Sequence, residues 1–107
     1  MMILVVCGAG ASSTFVAQRV RKAAEQQSRQ VLVAAGPRSA VTTEVGAGDV
    51  VLVGPHLASD FSDVARDAAS RGARAVLLPE DIFDDRDGTR SLALADHAAE
   101  TSERTPR

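Results

Sequence analysis

Cys7 is the sole cysteine of a 107-residue chain. It sits where an apolar run gives way to small and hydroxyl residues, LVVCGAGASST over residues 4 to 14. Gly8 and Gly10 let the backbone turn tightly and approach a ligand closely. Successive amides from Gly8 to Thr14 can then form an anion nest at the start of a helix. The hydroxyls of Ser12, Ser13 and Thr14 can add donors. The same field favours the thiolate, which is the nucleophilic form of cysteine. Residues 8 to 18 carry no cationic side chain, so charge stabilisation there falls to the amides. The expected chemistry is a phosphoryl group carried on Cys7 and cradled by Gly8, Ala9, Gly10, Ala11, Ser12, Ser13 and Thr14. A plainer alternative stands beside it: a buried free cysteine behaves as a small hydrophobe, and the glycines serve only the turn.

Two neighbouring phosphate chemistries fit less well. Low-molecular-weight tyrosine phosphatases place five residues after their cysteine and then an arginine that clamps the phosphoryl group. Ser13 holds that position here. The loop can bind an anion but lacks the clamp, so hydrolysis is expected to be poor; Glu80 or Asp81 would be its general acid. A dinucleotide site lacks the full glycine fingerprint and an acidic residue at the end of the second strand.

Several elements must position this loop. Met2–Val6, Val31–Ala35, Val50–Val53 and Ala75–Leu78 are short apolar runs, expected to be strands buried on both faces. Helices are expected between them. From Phe15 to Gln27, the residues Val16, Val20, Ala23, Ala24 and Gln27 share a stripe, with Ser12 or Ser13 as N-cap. From Asp60 to Arg71, the stripe is Phe61, Val64, Ala65 and Ala68, capped by Ser59 and ended by Gly72. A third helix is expected over 89–100, using Leu92, Ala95 and Ala99. Residues 36–48 are expected to be mostly loop with one or two helical turns. The fold class that follows is α/β: a doubly wound, four-stranded parallel sheet of order 2-1-3-4, helices on both faces, and a phosphatase-like Cys loop after strand 1. Residues 1–101 are expected to form one domain and 102–107 a frayed tail.

In such folds the site lies beyond the carboxyl ends of the strands. Three loops are expected to converge there, at residues 7–13, 54–58 and 79–85. Pro55 and His56 would be partner contacts; His56, on a loop facing Cys7, would otherwise hydrogen-bond the phosphoryl group, and the preferred reading is an ordinary loop residue. Phe15 is a boundary residue. Exposed, it would belong to a docking patch; turned inward, it would be core, where the periodicity prefers Val16. His97 is expected to be exposed on the last helix.

Bulk composition narrows the function further. The formal net charge is −2, which argues against nucleic acid as a partner. One cysteine forms no internal disulfide, no Cys/His cluster has metal-ligand spacing, and a reducing cytoplasmic setting is expected. The apolar start is too short for a signal peptide core, and Val6 precedes Cys7 where a lipoprotein signal wants a small residue. No processed N-terminus and no membrane insertion are expected.

With these residues assembled, the chain resembles the IIB components of lactose/cellobiose (chitobiose) type in the bacterial phosphoenolpyruvate-dependent sugar phosphotransferase system. The stretch from Cys7 to Thr14 matches a Cys-x-Ala-Gly-x-Ser pattern followed by two hydroxyl residues. DVVLVGPHLASDFSDV, residues 49 to 64, matches the third strand and its Gly-Pro-His turn. DIFDDRDG, residues 81 to 88, resembles the segment before the last helix. The resemblance implies a cytoplasmic, monomeric phosphocarrier with no cofactor or metal. A IIA histidine would load Cys7, and Cys7 would pass the phosphoryl group to a sugar held by the membrane component IIC. Gly8 departs from the family, which often has a larger side chain there. Acidic residues 80–87 would bear on partner choice or form a solvated face. The alternatives left open are a cysteine phosphatase-like enzyme and a non-enzymatic regulatory module with the IIB fold.

Overall fold

The computed structural model describes residues 2–6, 10–28, 31–79, 90, 92–95 and 97, with residues 10–14 described by their backbone. Four parallel strands form one sheet in the order β2-β1-β3-β4. They are β1 (Met2–Val6), β2 (Leu32–Gly36), β3 (Val50–Val53) and β4 (Arg74–Leu77). The expected order and fold class hold; the Cys loop itself lies outside the described residues.

β1 and β3 are the inner strands, which is why their apolar runs are unbroken. Ile3 through Val6 and Val50 through Val53 are all fully buried. Alternate side chains serve opposite layers. Ile3, Val5, Val50 and Leu52 pack with Val16, Val20, Ala23 and Ala24 of helix α1 (Gly10–Gln26). Leu92 and Ala95, on helical backbone, close the same layer. Leu4, Val6, Val51 and Val53 pack on the other face with Val64 and Ala68 of helix α2 (Phe61–Ser70). The 3₁₀ turn Arg38–Thr42 adds Ala40 and Val41, and Val45 follows. So the apolar-poor stretch 36–48 contributes real core through three residues.

The outer strands correct the expectation of burial on both faces. β2 and β4 are sheet edges, and Leu32 is 73% exposed and Leu77 39% exposed. An edge strand lacks one neighbour, so its apolar composition does not guarantee cover. Their bounds also shift by one residue from those expected.

Helix starts differ too. α1 begins at Gly10, which puts Ser12 and Ser13 inside its first turn rather than at the cap. The hydroxyls of Ser12 and Ser13 suggested a later start, but the helical backbone already opens at Gly10. Gln27 lies past the helix end and is exposed. Ser59 is not a cap either. The 3₁₀ segment Pro55–Asp60 runs straight into α2, and Asp60 at the N-cap makes no side-chain capping bond. Pro55 at the first position starts the 3₁₀ turn, leaving Ser59 already coiled.

α2 ends at Gly72 as expected. Its φ of +80° is the left-handed conformation that favours glycine. Ala73 N–H donates to Ala68 O at 2.9 Å, and Gly72 N–H to Ala69 O at 3.0 Å, the paired bonds of a Schellman cap. At the same pole, the Asp49 carboxylate accepts N–H bonds from Met2 and Gly46, both at 2.9 Å. Asp49 thus fastens the start of β1 to the turn before β3, leaving the opposite pole for function.

Candidate functional site at the carboxyl pole of the sheet

The sheet order fixes where a ligand can enter. After β1 the chain adds β2 on one side; β3 then joins β1 on the other. The crossovers therefore part at the carboxyl ends of β1 and β3, which is the topological switch point. Val6 pairs with Val53 there, and Gly54 N–H donates to Val6 O at 2.8 Å.

α1 opens only a few residues after β1, so its N-terminus faces this crevice. In a helix starting at Gly10, the amides of Gly10, Ala11 and Ser12 have no acceptor within the helix. The macrodipole adds about half a positive charge at that end. Thr14 N–H, by contrast, belongs to the helical ladder and bonds back to the Gly10 carbonyl. The expected nest from Gly8 to Thr14 is corrected accordingly: from Gly10 on, the donors are those of a helix first turn. Cys7, Gly8 and Ala9 lie outside the described residues.

The turn after β3 supplies the second wall. Gly54 is buried and extended, Pro55 half-buried, and His56 exposed. Leu57 turns back and packs on the α2 layer. On α1, Val16 is buried while Phe15 is 59% exposed, which places Phe15 on the outside of the helix. Phe15, Pro55 and His56 thus belong to the elements that flank the switch point. His97 is exposed. Glu80, Asp81 and the rest of the acidic segment 80–87 lie outside the described residues, as does Ala99.

Arg38, Asp63 and Arg66 were not among the expected site residues, yet the fold brings these three charges together at this pole. Arg38 stands two residues beyond the end of β2, and its Nη2 is 3.7 Å from Asp63 Oδ2. Arg66 Nη2 is 3.5 Å from the other oxygen of Asp63. All three side chains are well exposed, so solvent screens the network. The i, i+3 spacing of Asp63 and Arg66 was visible in the sequence; the approach of Arg38 needed the crossover.

Among the described residues, no three His, Cys, Asp or Glu side chains cluster closely enough to hold a metal ion. No helix among them is long and apolar enough to cross a membrane.

Residues 2–93 match the family model of the "PTS system, Lactose/Cellobiose specific IIB subunit". Among solved structures, the chain is similar to the lactose-specific IIB component domain of the phosphoenolpyruvate:carbohydrate phosphotransferase system from Streptococcus pneumoniae. The two superpose with a TM-score of 0.74 at 20% identity, over 92% of this chain and 96% of the other. No curated protein matches the chain.

Proposed function

The chain belongs to the lactose/cellobiose-specific IIB family of the sugar phosphotransferase system, and from that membership we propose that it relays a phosphoryl group through Cys7. The observation that carries the proposal is the family match across a chain whose only cysteine follows β1 and precedes α1 in the sequence.

Two displacements make up the relay. In the first, the Cys7 thiolate attacks the phosphorus of a phosphohistidine on IIA. The S–P bond forms as the N–P bond breaks, and the imidazole leaves with the nitrogen lone pair. In the second, a hydroxyl oxygen of a sugar on IIC attacks the same phosphorus. The S–P bond breaks, the thiolate returns, and the hydroxyl proton passes to a base or to solvent. Both steps are in-line transfers that need positioning and charge stabilisation more than acid–base groups on this protein. The free first-turn amides, Gly10 to Ser12, would stabilise the equatorial oxygens from one side. Ser13 and Thr14 would contribute hydroxyls, with Gly8, Ala9 and Ala11 completing the cradle.

The lack of a cation at position 13 suits a carrier. A carrier must hold its phosphoryl group without yielding it to water, and a clamp that stabilises the hydrolytic transition state would work against that. On this proposal the protein acts on the cytoplasmic side as a monomer and meets IIA and IIC in turn. Phe15, Pro55 and His56 would be contacted by both.

The test is to supply phosphoenolpyruvate, the general relay proteins and a candidate IIA, then to follow intact mass. One phosphoryl group on the wild type and none on Cys7→Ser is expected. No modification with any sugar-specific IIA encoded by the same genome overturns the relay. Steady aryl phosphate turnover that Cys7→Ser abolishes would establish a phosphatase instead. A biological effect fully retained by Cys7→Ser would establish a regulatory module.

A further inference from the structure

We propose that Arg21 guards the free edge of β2 and keeps it from pairing with a second copy of this chain. This is independent of the phosphoryl relay. Strand direction fixes which groups face outward. Val6 O accepts from Gly54, and Met2 N–H donates to Asp49, so β1 residues 2, 4 and 6 turn toward β3. Ile3 and Val5 therefore turn toward β2. Ile3 is in register with Val33, and Val5 with Ala35. In a parallel ladder a residue bonds to the two neighbours of its partner, so Leu32, Ala34 and Gly36 face β1. Val33 and Ala35 then direct their N–H and C=O groups to the open edge.

Among the described residues, that edge carries little protection of its own. Natural edges are blunted by charged side chains, prolines or bulges. Leu32 to Gly36 reads LVAAG, with no charge and no proline, and Leu32 is 73% exposed. Protection comes instead from the neighbouring helix. Arg21 of α1 donates from Nη2 to Val33 O at 2.7 Å, occupying an outward carbonyl. Arg21 is itself exposed, so it also sets a full positive charge at the edge. A second copy approaching in two-fold antiparallel fashion would present the same edge. It would have to displace both guanidiniums from their carbonyls while bringing like charges together. With Arg21 removed, the identical uncharged strands and their exposed Leu32 side chains are self-complementary.

Sedimentation of three proteins tests this: the wild type, Arg21→Met, and Arg21→Met with Ala35→Pro. Methionine keeps an apolar stem without donors or charge. Proline at an outward position removes an edge N–H and leaves the β1 ladder intact. Arg21→Met is expected to dimerise at a concentration at least about tenfold below any self-association of the wild type. The double variant is expected to return to monomer. An Arg21→Met protein that stays monomeric over the same range overturns the proposal. So does a double variant that associates as strongly as the single one. Loss of the helical circular dichroism signal in Arg21→Met would make Arg21 a folding residue and also overturn it.

Discussion

The amide of Gly54 donates to the carbonyl of Val6 at 2.8 Å, joining the last residues before Pro55 and before Cys7. One backbone bond thereby ties the turn after β3 to the end of β1. Both residues are buried, so no water substitutes freely for the partner.

Gly54→Pro breaks that bond. Gly54 has φ −65° and ψ 153°, dihedrals open to proline, but the ring replaces the N–H and sets its Cδ against the Val6 carbonyl, so a steric cost adds to the lost bond. An unsatisfied buried acceptor costs about 1–3 kcal/mol. Urea unfolding is expected to show that loss, and on the proposed relay phosphoryl acceptance by Cys7 is expected to slow with it. Unchanged stability would mean that the Val6 carbonyl finds another donor.

Phe15→Ala separates docking from packing. At 59% exposure, Phe15 gives the core little, so unfolding free energy is expected to change by less than about 0.5 kcal/mol. On the proposed relay, the second-order rate of phosphoryl transfer from IIA is expected to fall several-fold. Rapid-quench kinetics at varied IIA concentration reads it. An unaltered rate removes Phe15 from the docking surface.

Gly72→Ala acts on the α2 cap. The left-handed φ costs an L-residue about 1–2 kcal/mol. An added Cβ would also stand 3.1 Å from the Ala47 Cα, a backbone atom with little room to yield. Thermal unfolding is expected to drop by several degrees for a domain of this size. The companion is Ser28→Gly, where φ is 54° at the end of α1. It is expected to raise the midpoint, because glycine relieves a strained position.

Asp49 and Asp63 make a matched pair of carboxylates with opposite expectations. Asp49 accepts two backbone amides at the sheet's amino pole, and Asp49→Ala leaves both without that partner. A loss of about 1–3 kcal/mol is expected in urea. Asp63 only meets exposed arginines, so Asp63→Asn is expected to stay within about 0.5 kcal/mol. Equal effects in denaturation would contradict this division.

The legible parts of this protein are those governed by local pattern. Unbroken apolar runs mark β1 and β3 to the residue, because a strand covered on both faces tolerates no polar side chain. The stripe Val16, Val20, Ala23, Ala24 identifies the buried face of α1, and Gly72 its partner's stop signal. The alternation of strands and helices, with right-handed crossovers, implies the order 2-1-3-4 and hence a switch point at the carboxyl ends of β1 and β3. A lone cysteine among glycines and hydroxyls suggested phosphoryl chemistry before any fold was known.

Other features depend on neighbours that no local window contains. LVAAG reads like an inner strand, yet at the edge it exposes Leu32, because burial depends on what lies alongside. Gly10 reads like loop, yet it opens α1, the helix whose Val16, Val20, Ala23 and Ala24 pack on the sheet. That shift of the helix start changes which amides face the crevice. Phe15 and Val16 are both apolar neighbours, and only the docked orientation of α1 decides that one is core and the other surface. Arg21 meets Val33, and Arg38 meets Asp63, through chain crossovers, with spacings that carry no sequence signal. The sequence by itself determined the strands, the helices and their order, since these follow from residue type and period. Tertiary structure decided exposure, donor direction and long-range pairing, since these arise only when separate segments share space.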